Sequence, residues 1–238
     1  KHTRKRRLVL PSFEARRLER YVETMSKVAN ELADSVAPPD AAVTSTVPVV
    51  SMMSTAALRI VGLCLFSSDP SAEAGSFAEA LEACLEHTVW VSRTALPPPS
   101  WLPTRRNRRF RRSLRTLDGF VYGLINERRR NKQSGALRAV EAIARARGQP
   151  LDESRGDLLD MLLEAEAAPE EGKPAEGRPL ASELSAREVR DEAMTLILAG
   201  HETSALALTW CLHFLSADEM AGWRAEIAAE GREMLNSG

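Results

Sequence analysis

The feature that most constrains the fold is an almost uninterrupted apolar run from Ala193 to Leu215. Its side chains are hydrophobic around nearly the whole circumference of a helix, which is typical of a helix at the centre of a domain. The run is long enough to span a bilayer, but Glu202 lies in its middle, and a carboxylate there favours a buried core helix instead. The sequence therefore predicts a long central helix over about residues 185–216.

The predicted start of this helix carries two local signals. Ser185 and Glu188 have the spacing of a capping box, in which each side chain bonds the other residue's backbone N–H. Leu184 and Val189 are spaced to pack together across the first turn as a hydrophobic staple. Both signals indicate a helix that begins at residue 185.

Elsewhere apolar residues recur at spacings of three and four, and clusters of β-branched residues are scarce, so the predicted fold class is all-α. Only Val43 to Val50 resembles a strand, and Pro48 restricts it to an edge piece or a loop. The predicted helices run from Pro11 and Ser12 to the prolines at 38 and 39, from Met52 to Phe66, from about Ala72 to Arg93, and within Trp101 to Lys132.

Composition excludes several classes of protein. A chain of 238 residues with 44% hydrophobic side chains can bury a core, which excludes wholesale disorder. Its 32 Lys and Arg against 33 Asp and Glu exclude a bulk attraction to nucleic acid or acidic lipid. Three widely spaced cysteines argue against a disulfide scaffold or a zinc site. A reducing compartment, the cytoplasm, is expected.

Charge is nevertheless unevenly distributed. Residues 101–132 are rich in arginine, and their apolar members keep helical spacing, so we expect the arginines on the wet face of an amphipathic helix. The alternative is an arginine-rich nucleic-acid element whose affinity falls with salt. Residues 152–192 are acidic, and about 164–179, with three prolines, is predicted to be a flexible solvated loop.

The middle of the central helix combines residues that a structural helix rarely accumulates. Gly200 costs about 1 kcal/mol relative to alanine, and a buried Glu202 costs more unless it is paired. Thr203 can turn its hydroxyl onto the Ala199 carbonyl, and Glu202 then points sideways toward water or a cation. One interpretation is a widened groove with a proton relay; the other is close helix packing with a buried ion pair. His201 and His213 are interpreted as core or edge residues, without a second metal ligand four residues on.

The residues Ala199 to Thr203 resemble the A/G-G-x-D/E-T signature of the central helix in cytochrome P450 monooxygenases. Residues 1–13, KHTRKRRLVLPSF, are similar to the family's H-x-x-x-R segment and the P-x-F helix start that follows it. Residues 96–110 are similar to the loop and helix that cover the substrate entrance in a soluble bacterial-type subgroup. The resemblance covers essentially the whole chain, from the family's helix C to its helix J, and implies that residues 1–238 are part of a cytochrome P450 domain.

The resemblance implies roles for individual residues. His2 and Arg6 would bind the propionates of haem, and Ala199 and Gly200 would form the floor over it. Thr203 would hydrogen-bond the dioxygen bound at the haem iron or its attendant water, and Glu202 would relay protons. The resemblance and helical geometry together place Thr195 and Leu198, one turn earlier, against substrate.

The same resemblance leaves two family motifs unmatched. The family's iron ligand is a cysteine in an F-x-x-G-x-x-x-C-x-G loop, which Cys64, Cys84 and Cys211 do not match, and the E-x-x-R helix is missing. We therefore expect an internal fragment, inactive alone, with the cysteine ligand outside it and membrane anchoring of the parent protein left open. The intact protein would use O2 and electrons from a ferredoxin or flavoprotein reductase to oxygenate an apolar small molecule. The alternatives are a non-enzymatic helical binding or scaffold protein and the arginine-rich nucleic-acid binder.

Overall fold

The computed structural model describes residues 2–36, 46–133, 157–166 and 184–236. Within these ranges the regular structure is helical, apart from one parallel bridge between Glu166 and Leu184, so the all-α prediction is confirmed. The helices are α1 (His2–Val9), α2 (Ala15–Val36), α3 (Val49–Phe66), α4 (Ala74–Arg93), α5 (Arg105–Gln133), α6 (Leu158–Glu164), α7 (Ala186–Ser216) and α8 (Ala221–Asn236), with short 3-10 turns at Leu10–Phe13 and Asp218–Met220.

The core forms where α7 packs on α3, α4 packs on α5, and α2 packs on α3. Its largest fully buried side chains include Phe66, Phe77, Leu58, Ile125 and Ile197. Each such side chain contributes about 1.5–3 kcal/mol when it leaves water. This core holds the first half of α7 in place and so positions the residues discussed below.

An ion-pair network fastens α6 to α5. Arg128 donates to Asp157 at 2.6 Å and to Asp160 at 2.7 Å, and also to the Phe66 carbonyl at the end of α3. The side chains of Arg128 and Asp157 are only 13% and 6% exposed. Most arginines of α5 lie on its wet face as predicted, whereas Arg128 is drawn inward by these two carboxylates.

Two predicted boundaries were wrong. Pro11 and Ser12 lie in a 3-10 turn, and the long helix begins only at Ala15. Ser12 is fully buried, and its carbonyl accepts a hydrogen bond from the Tyr21 hydroxyl. Val49 and Val50 belong to α3 rather than to a strand-like segment, since the helix begins directly after Pro48. Beyond Glu166, the predicted acidic loop lies outside the described residues.

Among the described residues, one helix is long and apolar enough, by length and composition alone, to cross a membrane. This helix is α3, and 44% of its residues are buried inside the protein. It packs against α2, α4 and α7, so its apolar composition is explained by its place in the core.

Candidate functional site

The start of α7 is held as the capping signals predicted. The Glu188 N–H donates to Ser185 Oγ at 3.2 Å, and the Ser185 N–H donates to Glu188 Oε2 at 3.1 Å. Leu184 and Val189 are both fully buried in the same core cluster. The predicted capping box is confirmed, and the helix that carries the site begins at Ala186.

Around its middle, α7 has one packed face and one open face. Ala193, Ile197 and His201 are buried, and at 100° per residue they share one side of the helix. Ala199 and Thr203 are exposed and lie on the opposite side. The Thr203 hydroxyl donates to the Ala199 carbonyl at 2.6 Å, the bond that the sequence suggested. This leaves a surface of small side chains on the open face.

Gly200 lies against α3. A Cβ at this position would be 2.7 Å from Cγ2 of Val61, closer than such atoms approach in proteins. The glycine therefore allows α3 and α7 to pack closely, which is the second interpretation of this residue. Its place in the floor over haem stays a prediction.

His201 is a core residue, as predicted. It is 4% exposed, its Nε2 lies 2.8 Å from Ser54 Oγ on α3, and its ring meets Phe77 edge-on at 5.6 Å. Its Nδ1 is buried without a hydrogen-bond partner among the described residues. Burial lowers the pKa of His201 below its ordinary value, and the contact with Ser54 opposes this shift. The ring is therefore neutral at pH 7.

Glu202 is half-buried and lines a cavity of about 770 Å³ between α3, α4 and α7. Arg93, Arg106, Glu82 and Glu86 line the same cavity, so the sideways direction predicted for Glu202 leads to a space bordered by both basic and acidic side chains. The apolar wall of the cavity comes from α4 and includes Leu81, Leu85, Val89 and Trp90. Sequence reasoning missed this wall, although Leu81, Leu85 and Val89 recur every fourth residue on one helix face.

The two predicted substrate contacts do not line this cavity. Thr195 is exposed, and its hydroxyl donates to the Asp191 carbonyl at 2.7 Å. Leu198 is half-buried and packs on the hydrophobic core. Their contact with substrate stays a prediction.

Helix α1 lies beside the beginning of α7. Lys5 pairs with Glu192 at 2.5 Å, and both side chains are mostly buried. Glu192 shares the helix face of Ala199 and Thr203, so α1 lies at one end of the open face. Arg6, next to Lys5, is exposed, and the His2 side chain lies outside the described residues. The structure thus places the helix of Arg6 near the open face, while the propionate roles stay predictions.

The cysteines do not resemble a metal centre. Burial raises the pKa of the Cys64 and Cys84 thiols, so both remain protonated and act as small hydrophobic groups. Cys211 is exposed on α7. Within the described ranges, no three His, Cys, Asp or Glu side chains are grouped so that they could hold a metal ion.

Comparison with known proteins decides the family. The cytochrome P450 family model matches residues 1–221. The chain belongs to the cytochrome P450 family. Membership of this family implies a haem cofactor.

Similar proteins include a synthase, an oxygenase and a cytochrome P450. The chain is 30% identical to cyclooctatin synthase of Streptomyces melanosporofaciens over 98% of its own length and 43% of that protein's. It is 32% identical to pentalenene oxygenase of Streptomyces avermitilis over 90% of its length and 40% of that protein's. It is also 27% identical to cytochrome P450 4F6 of Rattus norvegicus, over 97% and 40% of the two lengths. The chain thus spans about two fifths of these cytochromes P450.

The open face of α7 fits a flat cofactor such as haem. From Thr195 to Thr203 the face extends about 12 Å along the helix, at 1.5 Å per residue. Thr195, Ala199 and Thr203 are exposed, and both hydroxyls are turned back onto backbone carbonyls. No long side chain from these three positions projects outward, so a planar group can lie against the helix.

Proposed function

We propose that this chain forms the oxygen-handling side of a cytochrome P450 monooxygenase. The intact protein uses O2 and electrons from a ferredoxin or flavoprotein reductase to insert one oxygen atom into an apolar small molecule. The observation that carries the proposal is the Thr203 hydroxyl, bonded to Ala199 on an open face, directly beside Glu202 in an apolar cavity.

Haem, when bound, supplies the oxygen-activating chemistry, and Ala199 and Gly200 support it, with His2 and Arg6 at its propionates. Cys64, Cys84 and Cys211 lack the surroundings of the family's ligand loop. We therefore place the cysteine ligand outside these 238 residues. The chain alone is expected to lack monooxygenase activity.

Thr203 acts mainly as a hydrogen-bond acceptor toward the open face. A hydroxyl has one hydrogen and two acceptor lone pairs, and the hydrogen of Thr203 is used by the Ala199 carbonyl. The oxygen can therefore accept a hydrogen bond from water on the open face and hold that water in place. Removing the hydroxyl leaves this water without its fixed acceptor.

Glu202 connects the cavity with the open face. Consecutive helical residues point about 100° apart, so Glu202 lies in the cavity while the neighbouring Thr203 lies on the face. A carboxylate that reaches both environments can take a proton from the cavity and pass it to water held by Thr203. Substrate is proposed to occupy the apolar part of the cavity near Leu81 and Leu85, with Thr195 and Leu198 on its approach.

The relatives' names and the composition support the remaining points. Pentalenene oxygenase is named for an oxygenase activity, which supports the same reaction class here. The near-neutral charge and the pattern of cysteines support a cytoplasmic protein without a nucleic-acid partner.

The test is Thr203→Ala in the intact haem-loaded protein. Haem and substrate binding should stay near those of the parent, while the ratio of product formed to O2 consumed should fall about tenfold. Ser204→Ala is the matched control, because this neighbouring hydroxyl is also exposed but points about 100° away. Full coupling in Thr203→Ala, or an equal loss in Ser204→Ala, would contradict the proposed role.

A further inference from the structure

A second cavity, of about 290 Å³, lies between α4 and the first turn of α5, and Glu86 and Arg106 line both this cavity and the one beside Glu202. Its charged lining consists of Arg105, Arg106, Arg109 and Glu86. The first turn of α5 contains no acidic residue, although the positive end of a helix dipole favours anions over cations. Several guanidinium groups therefore meet the positive end of a 29-residue helix with little negative charge to balance them.

Local pairing accounts for only part of this charge. Arg109 donates to Glu86 at 2.7 Å, but both side chains are more than half exposed, so water screens the pair. The Arg106 guanidinium lies over the Trp90 ring at 4.5 Å, which orients it without neutralising it. Like charges three and four residues apart on a helix repel one another, as Arg105 and Arg109 do here.

A buried histidine forms the inner wall of the cavity. His87 is 8% exposed, and its ring stacks flat on Phe110 at 4.1 Å between ring centroids. Its Nδ1 has no hydrogen-bond partner among the described residues. A buried polar atom without a partner is unusual in a native protein and indicates an unfilled hydrogen bond.

The backbone N–H groups at the start of α5 fall into two pairs, of which the second is already hydrogen-bonded. The Asn107 N–H donates to the Thr104 side chain, and the Arg108 N–H donates to the Thr104 carbonyl. The amides of Arg105 and Arg106 come earlier in the first turn, where N–H groups have no partner within the helix. Guanidinium groups and an imidazole thus line one small space beside the first turn of α5.

From this arrangement we infer that the cavity between His87 and the first turn of α5 binds a phosphate group. A tetrahedral phosphate accepts hydrogen bonds from several directions, and helix N-termini with arginine are common phosphate ligands. The cavity has a volume of about 290 Å³, which accommodates a single phosphate group rather than a stretch of nucleic-acid strand. The group can belong to a soluble phosphorylated molecule or to a lipid headgroup.

The experiment is calorimetric titration of the intact protein with inorganic phosphate. One saturable site is expected, and Arg106→Gln and His87→Phe should each weaken it about tenfold. His87→Phe keeps an aromatic ring on Phe110 while removing the nitrogen. Arg108→Gln is the matched control, because Arg108 is exposed in the same turn but does not line the cavity. Should His87→Phe fail to fold, Arg105→Gln at an exposed position takes its place.

Two further probes identify the source of the phosphate. Vesicles of phosphatidylcholine with phosphatidic acid that bind through Arg106 and His87, and that inorganic phosphate displaces, indicate a lipid headgroup. Phosphate binding without vesicle binding indicates a soluble ligand. The inference is overturned if phosphate gives no saturable signal, or if Arg108→Gln weakens binding as much as Arg106→Gln. It is also overturned if an RNA oligonucleotide binds more tightly than phosphate and depends equally on all these arginines.

Discussion

The two halves of α7 have similar apolar sequences but very different surroundings. Up to Ala205, every third or fourth residue is buried against the core, and Ala205 itself packs with Met53 and Ala57 of α3. Beyond it the large apolar side chains are exposed: Leu206, Leu208, Trp210, Leu212 and Phe214. Apolar composition therefore predicts that the side chains of a helix will be buried. Whether they are buried in this structure depends on whether α3 packs against that part of α7. A group of neighbouring exposed apolar side chains is typical of a site where another segment or protein packs.

Truncating one side chain in each half tests this difference most strongly. Ile197 is 1% exposed, so Ile197→Ala should lower the free energy of unfolding by about 2–5 kcal/mol through lost burial and an unfilled cavity. Leu212 is 44% exposed, and Leu212→Ala should cost less than about 0.5 kcal/mol. Urea denaturation followed by circular dichroism measures both.

A large cost for Leu212→Ala would break the comparison. It would show that the second half of α7 is covered in the protein as it exists, by another segment or by a partner. Equal small costs at both positions would instead contradict the packing of the first half against α3.

Adding a side chain at Gly200 tests the packed face directly. Gly200→Val places atoms within the space of Val61, and overpacking of this kind costs about 1–3 kcal/mol. The double variant with Val61→Ala should recover part of the loss, because the two side chains then share the space. Both are measured by urea denaturation.

Gly231 on α8 is the matched control. A Cβ there meets nothing within 4 Å, so Gly231→Ala should stabilise the helix by up to about 1 kcal/mol. Destabilisation by Gly231→Ala would mean that its surroundings are as tight as those of Gly200. Failure of Val61→Ala to relieve Gly200→Val would contradict the close approach of α3 and α7.

Whether an interaction could be predicted from the sequence depends on how far apart its two residues lie along the chain. The capping box and the Thr203 bond to Ala199 join residues three or four apart, so local spacing revealed them. Ser54, the hydrogen-bond partner of His201, lies 147 positions away in the sequence. No local pattern around either residue predicts that the two side chains meet. Arg128 was predicted to lie on the wet face of its helix with the other arginines. Its partners Asp157 and Asp160 are distant in sequence and come close to it only in the folded chain. The sequence shows the apolar residues of α4 recurring on one helix face. It does not show that this face forms the wall of a cavity beside Glu202.

The buried histidine of α7 gives the smallest and most selective test of the comparison. Burial lowers the pKa of His201 in the first half below its ordinary value of 6.5. The unfolded chain then binds a proton at higher pH than the folded chain does. Stability should be complete above about pH 6.5 and should decline as pH falls toward the lowered folded pKa of His201.

His201→Phe should flatten this decline, because the group that resists protonation is removed. The flattening should be partial, since burial and the positive charge of Arg106 also lower the pKa of His87. The measurement is the urea midpoint of the parent and the variant between pH 7.5 and pH 5. An unchanged slope in His201→Phe would show that protonation of the buried half does not limit stability in acid.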